Sequence, residues 1–345
     1  MTGNEKIKKF IKVFSIRLFI FALLAFGCFF IDHGREYYLG LTEGSSYNKI
    51  PWIYRKINTS DIDSNSVLFF GPSLCLNGIN DSLLTSRGKH KYFNMGINHS
   101  CYGLTYAILK DIVEKKKPRK VFLSLRYGFS MQIHNMYPIV VNAGEILASA
   151  KYTNVEMFNC IYTKTAWNIH YYTRFFKLPV DEAPPRQLAW GQDPEPAVDE
   201  EKVQGLYNRD YKSFESIFAY QKDDTEASTG FSIKSLKRNL YEKKLYYLDN
   251  VLYQQKMLMA CKDLLAEKQI AYDFVLFPTL HQQIAGNTKV TVDYYEKKYP
   301  DIFNGHAIIF EESEQLKSFK IWTDALHLNK YGADIFTDLL LKDIE

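Results

Sequence analysis

Apolar residues fall into three patterns along this chain. From Val13 to Ile31 they run almost unbroken, a stretch that approaches the roughly 20 residues needed to cross a bilayer. Farther on they gather into short continuous runs: Ser66-Val67-Leu68-Phe69-Phe70, Tyr92-Phe93-Asn94-Met95, Lys120-Val121-Phe122-Leu123-Ser124-Leu125, Tyr272 to Pro278, and Ala307-Ile308-Ile309-Phe310. Such runs, with no polar alternation, are expected of central parallel strands covered on both faces. Between them, Leu104 to Glu114 and about Lys244 to Glu267 read as helices, and a last helix passes through Tyr331, Ile335, Phe336 and Leu339. Strand and helix alternate, which predicts βαβ units and an α/β fold whose open parallel sheet collects its site at the carboxyl edge.

The first run reads as a membrane anchor. Lys6, Lys8, Lys9, Lys12 and Arg17 precede or open it, and Asp32, Arg35 and Glu36 follow. The positive-inside bias then places the N-terminus in the cytoplasm and everything after His33 outside, in the periplasm or on the outer face. The alternative is a cleaved signal, but no small-x-small site follows the run, and Gly27-Cys28 with Phe26 and Ala25 fits a lipoprotein site poorly. Residues 1–33 are thus expected to be tail and anchor, 34–65 a polar and aromatic connector, and 66–345 the catalytic domain. Within that domain, about 129–243 exceeds what the sheet needs. Its first part, with Tyr152, Phe158, Trp167, Tyr171, Tyr172 and Phe175, reads as helical and aromatic; Leu178 to Glu201 is rich in Pro and acidic residues and reads as a loop. This insertion is expected to be either a packing layer or a cap over the crevice that stacks on a sugar or meets an integral-membrane partner.

Composition narrows the function classes. With 46% hydrophobic and 24% charged residues, the 345-residue chain is no disordered protein. Its 43 basic residues nearly balance 39 acidic ones, which argues against a nucleic-acid surface. Five scattered cysteines, Cys28, Cys75, Cys101, Cys160 and Cys261, form no C-x-x-C pair, hence neither a zinc site nor a disulfide framework; they read as small buried residues, with a Cys75–Cys101 bridge as the alternative. No metal-ligand cluster or phosphate-binding glycine loop appears, so no metal or cofactor is predicted.

Chemistry enters at two separated places. The first strand ends in Gly71-Pro72-Ser73, where a glycine turn and a helix start would expose a serine at the top of the sheet. Near the end of the chain, Asp324-Ala325-Leu326-His327 precedes Asn329, a residue suited to cap the final helix. A capped loop of this kind offers a general base, His327, and a carboxylate to orient it, Asp324. The plainer reading makes Ser73 a helix cap, Asp324 a turn former and His327 a surface residue.

Three blocks in this order, FFGPSLCLNGIN, YFNMGIN and WTDALHLNKYGADIF, resemble the SGNH/GDSL hydrolase superfamily. The likeness is to its membrane-anchored branch, which includes polysaccharide O-acetyltransferase-like and D-alanine transfer proteins. The resemblance implies a three-layer, flavodoxin-like fold, Ser73 as nucleophile, His327 as base, Asp324 as its orienting carboxylate, and the Ser73 and Gly96 N–H groups as oxyanion donors. It departs from the pattern at Pro72 and, more seriously, at Arg126-Tyr127-Gly128, where many members place an oxyanion asparagine; Arg126 or Asn98 is expected to substitute. Asn77 and His281 are candidate substrate contacts. The implied activity is O-acylation, with acetyl the expected group, of a cell-envelope glycan acceptor outside the cytoplasm, aided by a membrane-bound O-acyltransferase partner. A carbohydrate esterase and a degenerate scaffold of an envelope assembly are the alternatives.

Overall fold

The computed structural model describes residues 3–31, 35–41, 49–98, 100–125, 133–134, 136–149, 155–173, 252–318, 321–322 and 326–345. In chain order the elements are α1 (Gly3–Phe29), α2 (Arg35–Leu41), α3 (Lys49–Asn58), β1 (Ser66–Phe70), α4 (Ser73–Gly78), α5 (Asp81–Arg87), β2 (Lys91–Asn94), α6 (Tyr102–Lys115) and β3 (Lys120–Ser124). They continue with α7 (Tyr137–Val140), α8 (Ala143–Ser149), α9 (Val155–Thr173), α10 (Leu252–Glu267), β4 (Ala271–Leu276), α11 (Leu280–Ala285), α12 (Thr288–Lys298), α13 (Pro300–Phe303), β5 (Ile308–Phe310) and α14 (Lys330–Ile344). A single turn of 3₁₀-helix at Glu314–Lys317 lies between β5 and α14. The chain divides into two compact units, Met1–Leu41 with Asn135–Asp193, and Thr42–His134 with Pro194–Glu345.

The second unit is built on a five-stranded sheet, all parallel, in the order β2-β1-β3-β4-β5. The five apolar runs are its strands, and every residue of β1 is buried. The chain steps from β1 outward to β2 and then back across to β3. Right-handed crossovers in opposite directions put α5 and α6 on opposite faces. On the first face Val67, Phe69, Tyr92, Phe122, Val275 and Ile309 join Phe336 and Leu340 of α14 in one apolar cluster. Phe69 and Phe122, paired in register, stack with centroids 4.9 Å apart. Leu68, Phe70, Val121, Leu123 and Phe274 alternate with these and so point to the other face, that of α6, with α10 packed beside it.

This unit begins earlier than the connector boundary at residue 65 implies. Within 34–65, α3 buries Ile50, Trp52, Ile53 and Ile57 and packs on α6. Tyr54 Oη donates to Asp111 Oδ2 at 2.7 Å, and Lys115 Nζ donates to Asn58 Oδ1 at 3.0 Å. Three Ile on one face and a buried Trp on another side of ten residues make α3 part of the core.

In the first unit α1 contains 23 residues, Ile7–Phe29, long and apolar enough to cross a bilayer by length and composition. Its large apolar side chains from Ile7 to Leu24, with Phe26, are exposed, whereas Phe29 in the last turn is 1% exposed. There α9 packs against α1, and Asn168 Nδ2 donates to the carbonyls of Cys28 at 2.7 Å and Ile31 at 2.6 Å. The Cys28 carbonyl, in the last turn of α1, also accepts from Ile31 N at 3.3 Å, and Ile31 lies just beyond the helix. The described part of the 129–243 insertion, α7 to α9, therefore belongs to the same compact unit as α1. The Pro-rich acidic stretch lies outside the described residues.

Candidate active site

At the carboxyl end of β1 the chain turns through Gly71-Pro72 and enters α4 at Ser73. The turn is tight because β1 and β3 end side by side. A Cβ on Gly71 would lie 2.5 Å from Cys75 Cβ and 2.9 Å from Ser124 Cβ, so no larger residue fits. The Pro72 carbonyl accepts from Cys75 N at 2.9 Å and Leu76 N at 3.1 Å, which closes the first helical turn. Ser73 is half-buried, and its N–H, at the first helical position, has no acceptor among the described residues.

A six-residue helix is not stable by itself. What holds α4 is Asn94, the last residue of β2, which is 3% exposed. Its Nδ2 donates to three α4 and post-α4 carbonyls, Cys75 at 3.0 Å, Leu76 at 3.1 Å and Ile79 at 2.9 Å, while its Oδ1 accepts from Gly96 N at 2.9 Å. The Asn94 N–H in turn donates to Asp81 Oδ2 in the first turn of α5, at 3.0 Å. A Cβ on Gly96 would collide with the backbone of Leu76. The glycine block thus serves close packing of the β2 loop on α4.

The histidine arrives from the far end of the chain. Trp322 and Leu328 form an isolated antiparallel bridge that closes the loop between them, and Trp322 Nε1 donates to Leu316 O at 2.9 Å. Asn329 caps α14 as expected, accepting from Gly332 N at 3.1 Å, and its own N–H donates to Ile321 O at 2.9 Å. Behind it, α14 is fastened to the Ser73 side through Asn80: Asn80 Nδ2 donates to Asp334 Oδ1 at 2.7 Å, and Asn80 N donates to Thr337 Oγ1 at 3.0 Å. The outcome is a 2.7 Å contact between Ser73 Oγ and His327 Nε2, two residues 254 positions apart.

The other expected site residues fare differently. Asp324 and Arg126 lie outside the described residues. Gly96 is not placed as an oxyanion donor, because its N–H is occupied by Asn94 Oδ1. Asn98 sits half-buried in the turn after β2, and its carbonyl accepts from Nε2 of the buried His134 at 3.0 Å. Asn77 lies one helical turn after Ser73, buried, with an Oδ1 that has no hydrogen-bond partner. His281 falls in α11, after β4. All five cysteines are free thiols, which removes the Cys75–Cys101 bridge. Cys75 is fully buried with Sγ 3.5 Å from Asn94 Oδ1, and burial pushes its thiol far above the usual range, so it is no rival nucleophile. Among the described residues no group of three or more His, Cys, Asp or Glu is placed to hold a metal ion. Asn80 and Asn94 lie inside the first two sequence blocks and His134 outside them, yet none was given a task, because their roles depend on long-range contacts. Compared with known proteins, the chain matches no protein-family model, and no curated protein matches it significantly.

Proposed function

We propose that this protein is a membrane-anchored serine acyltransferase of the SGNH/GDSL type, acting outside the cytoplasm on a hydroxyl of a cell-envelope polysaccharide. The observation that carries the reading is the 2.7 Å contact between Ser73 Oγ and His327 Nε2. A serine at the carboxyl edge of a parallel sheet with an imidazole nitrogen in hydrogen-bond reach is the arrangement an activated nucleophile needs. The strand order, that of flavodoxin-like sheets, supports it.

In this reading Nε2 takes the Ser73 proton as Oγ adds to the acyl carbonyl, giving a tetrahedral oxyanion. The Ser73 N–H and the Asn98 side chain, with Arg126 as a further candidate, stabilise that charge. Collapse expels the donor's leaving group, which receives the proton from His327, and leaves an acyl-serine. The acceptor hydroxyl then gives its proton to Nε2, attacks the acyl carbon, and releases the acylated glycan and free Ser73. Asp324 accepts from Nδ1–H and holds the imidazole in the needed tautomer. Acyl groups reach the outer face through a membrane-bound acyltransferase partner.

The test is mass spectrometry of the full-length chain in detergent after exposure to p-nitrophenyl acetate, comparing wild type, Ser73→Ala and His327→Ala. An acetyl adduct on Ser73, absent from both variants and discharged faster by an oligosaccharide than by water, is expected. Equal discharge by water favours the esterase. No adduct under any condition refutes the acyl-serine mechanism.

A further inference from the structure

We propose that the outer face of α9 lies against bilayer lipid, as a collar at the level where α1 leaves the membrane. This rests on the reading of α1 as an anchor.

The carrying observation is that α9 exposes a stripe of large apolar side chains while it buries several polar ones. Phe158, Tyr162 and Ile169 are 76%, 45% and 37% exposed. At 100° per residue all three fall within about 40° of one another on the helix surface. The buried side mixes Met157, Cys160 and Trp167 with the polar Thr163, Lys164, Asn168 and His170, and Lys164 Nζ donates to Val141 O at 2.8 Å. Soluble helices put the apolar stripe inside. Where lipid is the solvent, polar side chains face the protein and bond to its carbonyls while apolar ones face out.

The depth follows from where α9 touches α1. The hydrogen bonds from Asn168 reach the carbonyls of Cys28 and Ile31, in and just after the last turn of α1, where Phe29 is buried, whereas Ile7, Phe10, Phe14, Leu18, Phe21 and Phe26 are exposed. That turn ends the apolar run, so α9 sits at the bilayer surface. With Lys164, Asn168 and His170 along its length, α9 does not meet the composition of a span, and α1 is the one candidate span among the described residues. An interfacial helix, its apolar side sunk to the headgroup and acyl boundary, satisfies both facts.

The test uses the full chain carrying Cys28→Ser, whose remaining four thiols are buried, reconstituted in vesicles of phosphatidylethanolamine and phosphatidylglycerol. A nitroxide is attached at Phe158→Cys or Ile169→Cys, with Leu18→Cys in α1 and Val290→Cys on the exposed surface of α12 as references. Electron paramagnetic resonance then reads collision with oxygen, which enters lipid, against a nickel chelate, which stays in water. Oxygen accessibility several-fold above that of the chelate at both α9 positions, as at Leu18, is expected. Chelate accessibility like that of Val290, with Leu18 still lipid-exposed, overturns the collar and leaves the anchor standing. Shielding from both reagents means that protein covers the face, which also overturns it. Chelate access at Leu18 refutes the anchor and the collar together.

Discussion

If Asn94 is what shapes the nucleophile helix, removing its side chain should damage stability and reactivity together. Asn94→Ala strips the partners from Leu76 O, Ile79 O and Gly96 N, while Cys75 O keeps Ile79 N at 3.2 Å. Three buried backbone groups left bare, at about 1 kcal/mol each, give a loss of about 3 kcal/mol. For a unit of this size that corresponds to about 6–12 °C in Tm. Reactivity should fall further than stability explains. Released at its carboxyl end, α4 can shift Ser73 relative to His327, and a displacement of about 1 Å can cost about a hundredfold in rate. Asn94→Asp separates the two halves of the clamp: it still accepts from Gly96 but turns a carboxylate toward three carbonyls. It should be worse than alanine at neutral pH and recover partly in acid, where the carboxyl can donate. The assay is thermal unfolding in detergent beside the rate of fluorophosphonate labelling of Ser73, measured well below each variant's Tm. An Asn94→Ala protein that melts within about 1 °C of wild type and labels at the same rate would refute the reasoning.

Two further outcomes follow from the same unit. Asn329→Ala removes the α14 cap and should cost about 1 kcal/mol, yet slow Ser73 acylation at least tenfold because His327 lies two residues away; Asn329→Asp should restore both, and a variant that melts lower but acylates normally would show that the cap does not set the histidine. Glu311, at the end of β5, has its carboxyl raised from 4.5 to about 7, first by burial and then by the neighbouring Asp343. The folded state therefore holds this proton more tightly than the unfolded chain. The contribution is fully present below about pH 4.5 and is lost as pH rises through about 7. At this half-buried position ionisation costs about 1–2 kcal/mol. Glu311→Gln should accordingly raise Tm at pH 8 and leave it unchanged at pH 4, as read by thermal melts; a shift of equal size at both pH values would contradict the assignment.

The strands were legible because continuous apolar runs have one good explanation in an α/β chain, burial on both faces. Ser73 and His327 were legible for another reason: a serine after a strand and glycine turn, and a histidine before a capped helix, are local signals whose meaning lies in their order along the chain. What escaped is everything whose partner is distant. The Asn94 side chain bonds backbone up to 19 positions away, and Asn80 reaches 257 positions to Thr337. An asparagine near a strand end looks the same whether it clamps a helix or faces water. The stretch around α3 was read as connector because Lys49, Pro51, Arg55 and Lys56 dilute its apolar residues, yet Ile50, Ile53 and Ile57 fall on one helical face and Trp52 is buried as well. Gly96 was expected to donate to an oxyanion, whereas the structure packs it against α4. Its missing side chain admits the Leu76 backbone, and its N–H is already bonded.

That last distinction bears on how the site can work. In the proposed mechanism, with the Gly96 N–H engaged, stabilisation of an oxyanion would fall on the Ser73 N–H, on the Arg126 side chain and on that of Asn98 in the turn that follows β2. The position of that turn is set by His134, which bonds the Asn98 carbonyl. Losing one oxyanion donor costs about 10²–10³ in rate in a hydrolase. A transferase whose acyl donor is a thioester or another activated acyl group starts from a more reactive carbonyl and needs less from the oxyanion hole. It gains more from holding Ser73 and His327 in register while an acceptor enters. The polar links from Asn80 to α14 and from Asn94 to α4 secure that register from both sides of the contact, which the proposed acyl transfer requires at each of its two steps.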